Sequence, residues 1–184
     1  MRRLLWLCLL VVGLSGCYEP PEGLTPVQGV DLDRYLGRWY EIARLDHRFE
    51  RGLSRVTATY SRNPDGSLRV VNRGFDAADN RWREAVGRAE PLGAPGNGSL
   101  KVSFFRPIYA GYHILALDPD YGHALVSGPD RDYFWILSRT PTLPRATQDA
   151  LIARARAMGF ATDRLIFVNH MSEPRPAAAR DSQP

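Results

Sequence analysis

The feature that most constrains the fold is a series of short strand-like segments between Tyr35 and Asn169, separated by turn signals. Eight such segments lie within about 100 residues, and Gly, Pro, Asp or Asn stands between each pair. Asp65-Gly66 is a strong hairpin signal. Regular alternation of apolar and polar residues, interrupted by closely spaced turns, predicts an all-β fold, either an antiparallel barrel or a sandwich.

One helix is predicted after the eighth strand, with Pro144 near its start and Gly159 just past its end. Leu151 and Ala155 share one face of this helix, and arginines occupy the other. We therefore expect the helix to lie outside the sheet, followed by a short last strand from Asp163 to Asn169.

Three sequence motifs bear on the family. "GRW" (residues 37–39) opens the first strand, "SRTP" (residues 138–141) follows the eighth, and Asp118 and Tyr121 lie between them. These motifs resemble those of the lipocalins. The longer stretches "GRWYEIARLDHRFERG" (residues 37–52) and "GPDRDYFWILSRTPTLP" (residues 128–144) resemble most closely the bacterial lipocalins and apolipoprotein D. Asp118 and Tyr121 match the middle motif only in part.

The resemblance covers about residues 31–170 and implies an eight-stranded up-and-down antiparallel β-barrel with the helix packed outside. It also assigns the structural motif residues. Trp39 plugs the closed end, Arg139 stacks across its ring, and Gly37 lets the entering chain pass beneath the barrel.

The resemblance further implies a small hydrophobic ligand, a fatty acid or lysophospholipid, stored or transported in the bacterial envelope. We expect inward-facing aliphatic and aromatic side chains to contact an acyl chain, and inward tyrosines and Asn72 to bond a head group. The alternative for each is plain core packing. The predicted ligand-binding residues are Val56, Ala58, Tyr60, Val70, Asn72, Val102, Phe104, Tyr112, Ile114, Tyr133 and Trp135.

The N-terminus predicts a lipoprotein signal. Arg2 and Arg3 precede an apolar run too short to span a membrane, and "LSGC" (residues 14–17) resembles a lipobox. We expect cleavage before Cys17, lipidation of Cys17, and sorting to the outer membrane because Tyr18 follows it. The predicted organisation is a signal (1–16), a lipidated Cys and flexible tether (17–30), the barrel (31–171) and a disordered tail (172–184).

Charge and cysteine content exclude several classes of function. Loss of Arg2 and Arg3 lowers the formal net charge from +4 to about +2, and no basic stripe indicates nucleic acid. Cys8 leaves with the signal and Cys17 carries lipid, so no disulfide is expected. We expect no cofactor, no metal and no catalysis, and leave a homodimer open.

Two other classes of function compete with lipid binding. An envelope lipid-modifying enzyme or isomerase would need a titratable pair in the barrel, and only Glu41 is placed inward, without an identified partner. A structural lipoprotein with a filled barrel would need uniformly large inward residues. Ala58, Gly74 and Ala116 argue against a filled barrel.

Overall fold

Eight consecutive antiparallel strands close into a barrel because the first strand pairs with both the second and the eighth. The computed structural model describes residues 18–170. The predicted up-and-down eight-stranded barrel is confirmed. Its strands are β1 (Gly37–Arg44), β2 (Leu53–Arg62), β3 (Leu68–Asp76), β4 (Arg81–Pro91), β5 (Ser99–Phe105), β6 (Ile108–Leu117), β7 (His123–Ser127) and β8 (Phe134–Ser138).

Two helices flank the barrel. The short α1 (Leu32–Tyr35) precedes β1, and α2 (Arg145–Ala157) follows β8. Leu151 and Ala155 of α2 are buried in a cluster with outward-facing strand residues such as Phe134, so the helix packs on the outside as predicted. Neither these helices nor any other in residues 18–170 is long and apolar enough to cross a membrane.

The last strand is shorter than the sequence predicts. A 3₁₀ turn occupies Thr162–Arg164, and only Ile166–Phe167 form β9, which pairs with Ala43 and Arg44 of β1. The segment therefore adds a short ninth strand outside the closed barrel.

Register shifts in two strands redirect side chains that simple alternation assigns wrongly. In β6 the shift lies between Ile114 and Ala116, and Ala116 is buried in the outer cluster beneath α2. Ala116 therefore does not face the barrel interior, and its small size does not bear on whether the barrel is hollow. A β-bulge places two residues opposite one and changes the face of those that follow.

The segment before the barrel is more ordered than a flexible tether. Val27 donates its backbone N–H to Ile114 O (2.9 Å) and accepts from Gly98 N (2.9 Å), and Val30 is buried in the barrel core. Leu24 packs against the outer cluster. Such contacts join residues distant in sequence, which local composition does not reveal. The predicted signal, Cys17 and the C-terminal tail from residue 172 lie outside the described residues.

The two ends of the barrel differ. The β2–β3, β4–β5 and β6–β7 connections meet at one end, together with α1. The β1–β2, β3–β4, β5–β6 and β7–β8 connections meet at the opposite end, which we call the mouth. This arrangement follows from the strict up-and-down order of the strands.

Candidate functional site

The end of the barrel beside α1 is sealed by a stack of side chains. The Arg139 guanidinium carbon lies 3.9 Å from the centre of the Trp39 ring, which is completely buried. Arg139 also donates to Arg38 O (2.9 Å) and Arg34 O (2.8 Å), and Trp39 Nε1 donates to Tyr35 O (2.9 Å). One arginine thus ties α1, β1 and the segment after β8 together.

Gly37 permits this stack. Its φ of +91° is a conformation that L side chains rarely adopt, and a Cβ built there would lie 3.4 Å from Arg139 Nη1. The chain therefore enters β1 close beneath the guanidinium.

Three tyrosines form a polar cluster just above this floor. Tyr112 Oη lies 2.7 Å from Tyr35 Oη, and Tyr60 donates its hydroxyl to Tyr112 Oη over 2.9 Å. Burial raises the pKa of Tyr60 to about 12, and the pKa values of Tyr35 and Tyr112 also lie well above the ordinary value because of burial. Three neutral hydroxyls that share two hydrogen bonds retain one O–H for another acceptor.

The structure brings the predicted contact residues to the interior in two groups. The lower group belongs to the core cluster that includes Trp39, and the upper group lies towards the mouth. Contact with a ligand remains a prediction for both groups. The lower group is Ala58, Tyr60, Val70, Val102, Phe104, Tyr112, Ile114 and Trp135, and the upper group is Val56, Asn72 and Tyr133.

Several of the inward-facing side chains are not fully buried. Ala58, Val102, Phe104, Tyr112 and Trp135 are only partly buried although they face inward. Asn72 Oδ1 is buried and has no hydrogen-bond partner among residues 18–170. An apolar wall with a few placed polar groups is the usual form of a small-molecule site.

The wall itself is incomplete near the mouth. β4 pairs with β5 only from Arg88 to Pro91, so within the described structure its mouth half, residues 81–87, has no partner on that side. Ala85 lies opposite inward-facing Asn72 and is exposed, as is Ala110 of β6. Solvent therefore reaches the inner face at the mouth and beside the unpaired half of β4, where β4 and β5 leave a gap in the hydrogen-bonded wall.

A buried ionic cluster occupies the wall formed by β1 and β8. Arg44 donates to Glu41 Oε1 (2.7 Å) and to the backbone oxygens of Glu50 (2.8 Å) and Leu53 (3.2 Å). Trp135 Nε1 donates to Glu50 Oε2 (3.1 Å). This identifies the partner of Glu41 and ties the β1–β2 connection to the barrel.

His47 extends the cluster towards the mouth. Its Nε2 lies 3.0 Å from Glu50 Oε2, and its ring centre lies 5.6 Å from Tyr133 and 5.2 Å from Trp135. Among the described residues, no group of three or more His, Cys, Asp or Glu side chains is arranged to hold a metal ion.

The two carboxyl groups of the cluster differ in their protonation. Burial raises the pKa of Glu41 well above its usual range, and the Glu50 charge raises it further, against the effect of Arg44. Burial also disfavours the charged form of Glu50. The hydrogen bond and charge of His47, together with the hydrogen bond from the Trp135 indole, nevertheless bring the pKa of Glu50 below its ordinary value. Glu50 is therefore the carboxylate of the pair, and Glu41 is the group that more readily holds a proton.

Sequence reasoning missed Arg44, His47, Glu50 and Tyr35. Alternation along β1 places Arg44 outside, but the register shift between Glu41 and Ala43 turns Ile42 and Ala43 both outward and Arg44 inward. The only sequence signal for the cluster was the His47-x-x-Glu50 pair in the connection that follows.

A separate groove of about 570 Å³ lies on the outer face of β1–β4. Arg73 stacks over Trp82 there at 4.2 Å. Trp82 is 42% exposed and lines this groove on the outer face. This groove contains none of the predicted ligand-binding residues.

The geometry described above agrees with comparisons to known proteins. The family model described as "Lipocalin-like domain" matches residues 30–170. The chain belongs to the lipocalin family. Insecticyanin from the tobacco hornworm has the same fold, with a TM-score of 0.66 at 21% identity, covering 85% of this chain and 88% of the other.

Relatives in sequence are more informative about this lipocalin. "Outer membrane lipoprotein Blc" of Escherichia coli K12 is 54% identical over 86% of this chain and 89% of the relative. The protein of the same name in Vibrio cholerae is 48% identical over 90% and 98%. Bovine apolipoprotein D is 34% identical over 76% and 82%. The predicted resemblance and the predicted outer-membrane location are thereby confirmed.

Proposed function

We propose that this lipocalin binds one long-chain lipid, a fatty acid or lysophospholipid, inside the barrel and stores or carries it at the outer membrane. The observation that carries the proposal is the solvent-accessible, mainly apolar interior closed at one end by Trp39 and Arg139. Ala85 and Ala110 would not stay exposed on the inner wall of a filled barrel, so the structural alternative is disfavoured.

The polar groups of the interior suit a lipid head group. The tyrosine cluster offers one O–H donor, and the unpaired Asn72 Oδ1 offers an acceptor. Both lie beside apolar residues that suit an acyl chain. An acyl chain of about 16 carbons buried at about 0.8 kcal/mol per CH₂ gives at most about 12 kcal/mol, and association costs at least about 4. Binding in the low-micromolar range or slightly tighter should remain.

One observation favours an enzyme as a second candidate. Glu41 and Glu50 form the titratable pair inside the barrel that catalysis would need. However, Glu41 is held by Arg44, and Glu50 by His47 and Trp135. Since each group already has a partner, we propose that the pair is structural. Turnover of a lysophospholipid by purified protein, lost in Glu50→Gln, would favour the enzyme instead.

Tryptophan fluorescence tests the binding proposal. The described residues hold Trp39, sealed at the floor, Trp82 on the outer face, and Trp135 on the inner wall. We expect titration with a long-chain fatty acid or lysophospholipid to change the emission saturably. The change should disappear in Trp135→Phe, with affinity falling by only about 1 kcal/mol because the swap is nearly isosteric.

Matched variants make this test decisive. Trp82→Phe should keep the full signal, and Tyr112→Ala should weaken binding more than Trp135→Phe because it opens the wall and removes a hydroxyl. A saturable signal that survives in Trp135→Phe would place the ligand elsewhere. No saturable signal with any lipid, together with no co-purified lipid in native mass spectrometry, would reject lipid binding.

The lipid anchor is tested separately. We expect Cys17→Ala to abolish incorporation of labelled palmitate and to release the protein from the outer-membrane fraction, because several acyl chains make anchoring effectively stable. Cys8→Ala is the control and should leave both unchanged. Palmitate incorporation that persists in Cys17→Ala would show that another residue carries the lipid.

A further inference from the structure

The mouth of the barrel carries an exposed apolar surface with no partner in residues 18–170. Phe105 and Ile108, at the tip of the β5–β6 hairpin, are each 74% exposed, and Phe49 in the β1–β2 connection is 60% exposed. These two connections lie on opposite sides of the rim. Large exposed apolar side chains that lie close together, as Phe105 and Ile108 do at one hairpin tip, usually mark an interaction surface.

The charges beside these side chains favour an anionic partner. Arg106 stands between Phe105 and Ile108, and Arg48 lies over the Phe49 ring at 4.8 Å. Neither arginine forms an ion pair within the described part of the chain, whereas nearby Arg51 is paired with Asp46. Apolar residues flanked by arginines suit an interface with anionic lipid head groups.

The N-terminal segment brings this rim close to the anchor. Tyr18 O would lie 3.2 Å from a Cβ at Gly111, so the chain passes directly over β6. Arg131 donates to Glu22 O (2.8 Å), and Val27 bonds to Ile114, so the segment is fixed along its length. Gly111 is three residues from Ile108, or about 10 Å along the strand.

From this placement we infer that the mouth of the barrel docks on the bilayer that holds the anchor, on the side of the β5–β6 hairpin. This inference rests on the proposed lipidation of Cys17, which directly precedes Tyr18. Phe105 and Ile108 enter the interfacial region, and Phe49 makes the second contact across the rim. The gap between β4 and β5 then faces the bilayer beside the hairpin and gives an acyl chain a direct path into the pocket.

The orientation is tested by depth-dependent quenching. Acylated protein carrying Phe105→Cys, Phe49→Cys or Ser61→Cys is labelled with a fluorophore and reconstituted into phosphatidylethanolamine–phosphatidylglycerol vesicles. Ser61 is exposed near the closed end and is the control. We expect nitroxide lipids to quench labels at 105 and 49 at least about threefold more than at 61. Equal quenching at all three sites, or stronger quenching at 61, overturns the inference.

A transfer assay separates docking from binding. In Phe105→Asp/Ile108→Asp, uptake of a fluorescent lysophospholipid from vesicles should slow by about tenfold, the equivalent of about 1.4 kcal/mol. Binding of the same lipid supplied as monomers should change less than about twofold. Unchanged uptake with intact binding contradicts docking. Loss of monomer binding in the unmodified protein would instead reject the proposed function, and the quenching result would still decide the orientation.

Discussion

Replacing Arg44 by Met is expected to lower the free energy of unfolding by about 3–5 kcal/mol, because it leaves a carboxyl group buried without its cation. Glu41 is 3% exposed and its contact with Arg44 is 2.7 Å long. The same substitution removes the donors to Glu50 O and Leu53 O, which fasten the β1–β2 connection. The measurement is equilibrium denaturation in urea.

The loss of stability expected in Arg44→Met depends on pH, and the direction of this dependence identifies its cause. Burial already raises the pKa of Glu41, and loss of Arg44 raises it further. A carboxyl group whose pKa is raised in the folded state contributes stability below its unfolded pKa of about 4.3. This contribution is lost as the pH rises through the pKa of the folded state. The deficit of Arg44→Met should therefore be larger at about pH 8 than at about pH 5. Glu50, whose pKa is lowered, loses its contribution only at more acidic pH.

Two further variants control this prediction. The double variant Arg44→Met/Glu41→Gln should recover at least half of the lost stability, because it removes the carboxyl group that Arg44→Met alone leaves buried without a cation. Arg69→Met, on an exposed site of β3, should change stability by no more than about 0.5 kcal/mol. A loss below about 1 kcal/mol in Arg44→Met, equal at both pH values, would contradict a structural role for the pair.

The residues that alternation predicted correctly are those in regular parts of the strands. Tyr112 of β6 and Trp135 of β8 face the interior as the alternation predicts. No β-bulge separates either residue from the inward-facing residue two positions away on the same strand. A period of two is fixed by the pleat, so the hydrophobic pattern suffices to predict the face. The turn signals likewise indicated the series of strands, whereas the closed up-and-down order was implied by the resemblance to the lipocalins.

The errors have a different origin. Ala116 and Arg44 follow bulges, and a bulge depends on contacts across strands that the local sequence does not encode. Val27 was assigned to a tether because its neighbours are Pro, Gly and polar residues, yet its hydrogen bonds go to Gly98 and Ile114. The buried cluster was missed for the same reason, because it brings together a strand, a connection and β8.

Arg139→Ala is the second large effect, and we expect a loss of about 2–3 kcal/mol. The stack on Trp39 is worth about 0.5–2 kcal/mol. Its two short hydrogen bonds, to Arg38 O and Arg34 O, add about 0.5–1.5 kcal/mol each, and their carbonyls would be left without this donor. These contributions overlap, so the expected total is smaller than their sum.

Arg139→Lys distinguishes the geometry of the guanidinium from its charge. Lysine keeps the positive charge but lacks the planar group that stacks on the indole while donating in two directions, so it should restore less than half of the loss. Arg34→Ala, which removes a stack on Tyr121 at the same end of the barrel, is the matched control and should cost less than about 1 kcal/mol. Urea midpoints for Arg139→Ala that equal the unmodified value, or full rescue by Lys, would mean that the Arg139–Trp39 stack does not hold the floor of the barrel. The same floor closes the pocket, so a loosened floor should also raise the exposure of Trp39 to the quencher acrylamide.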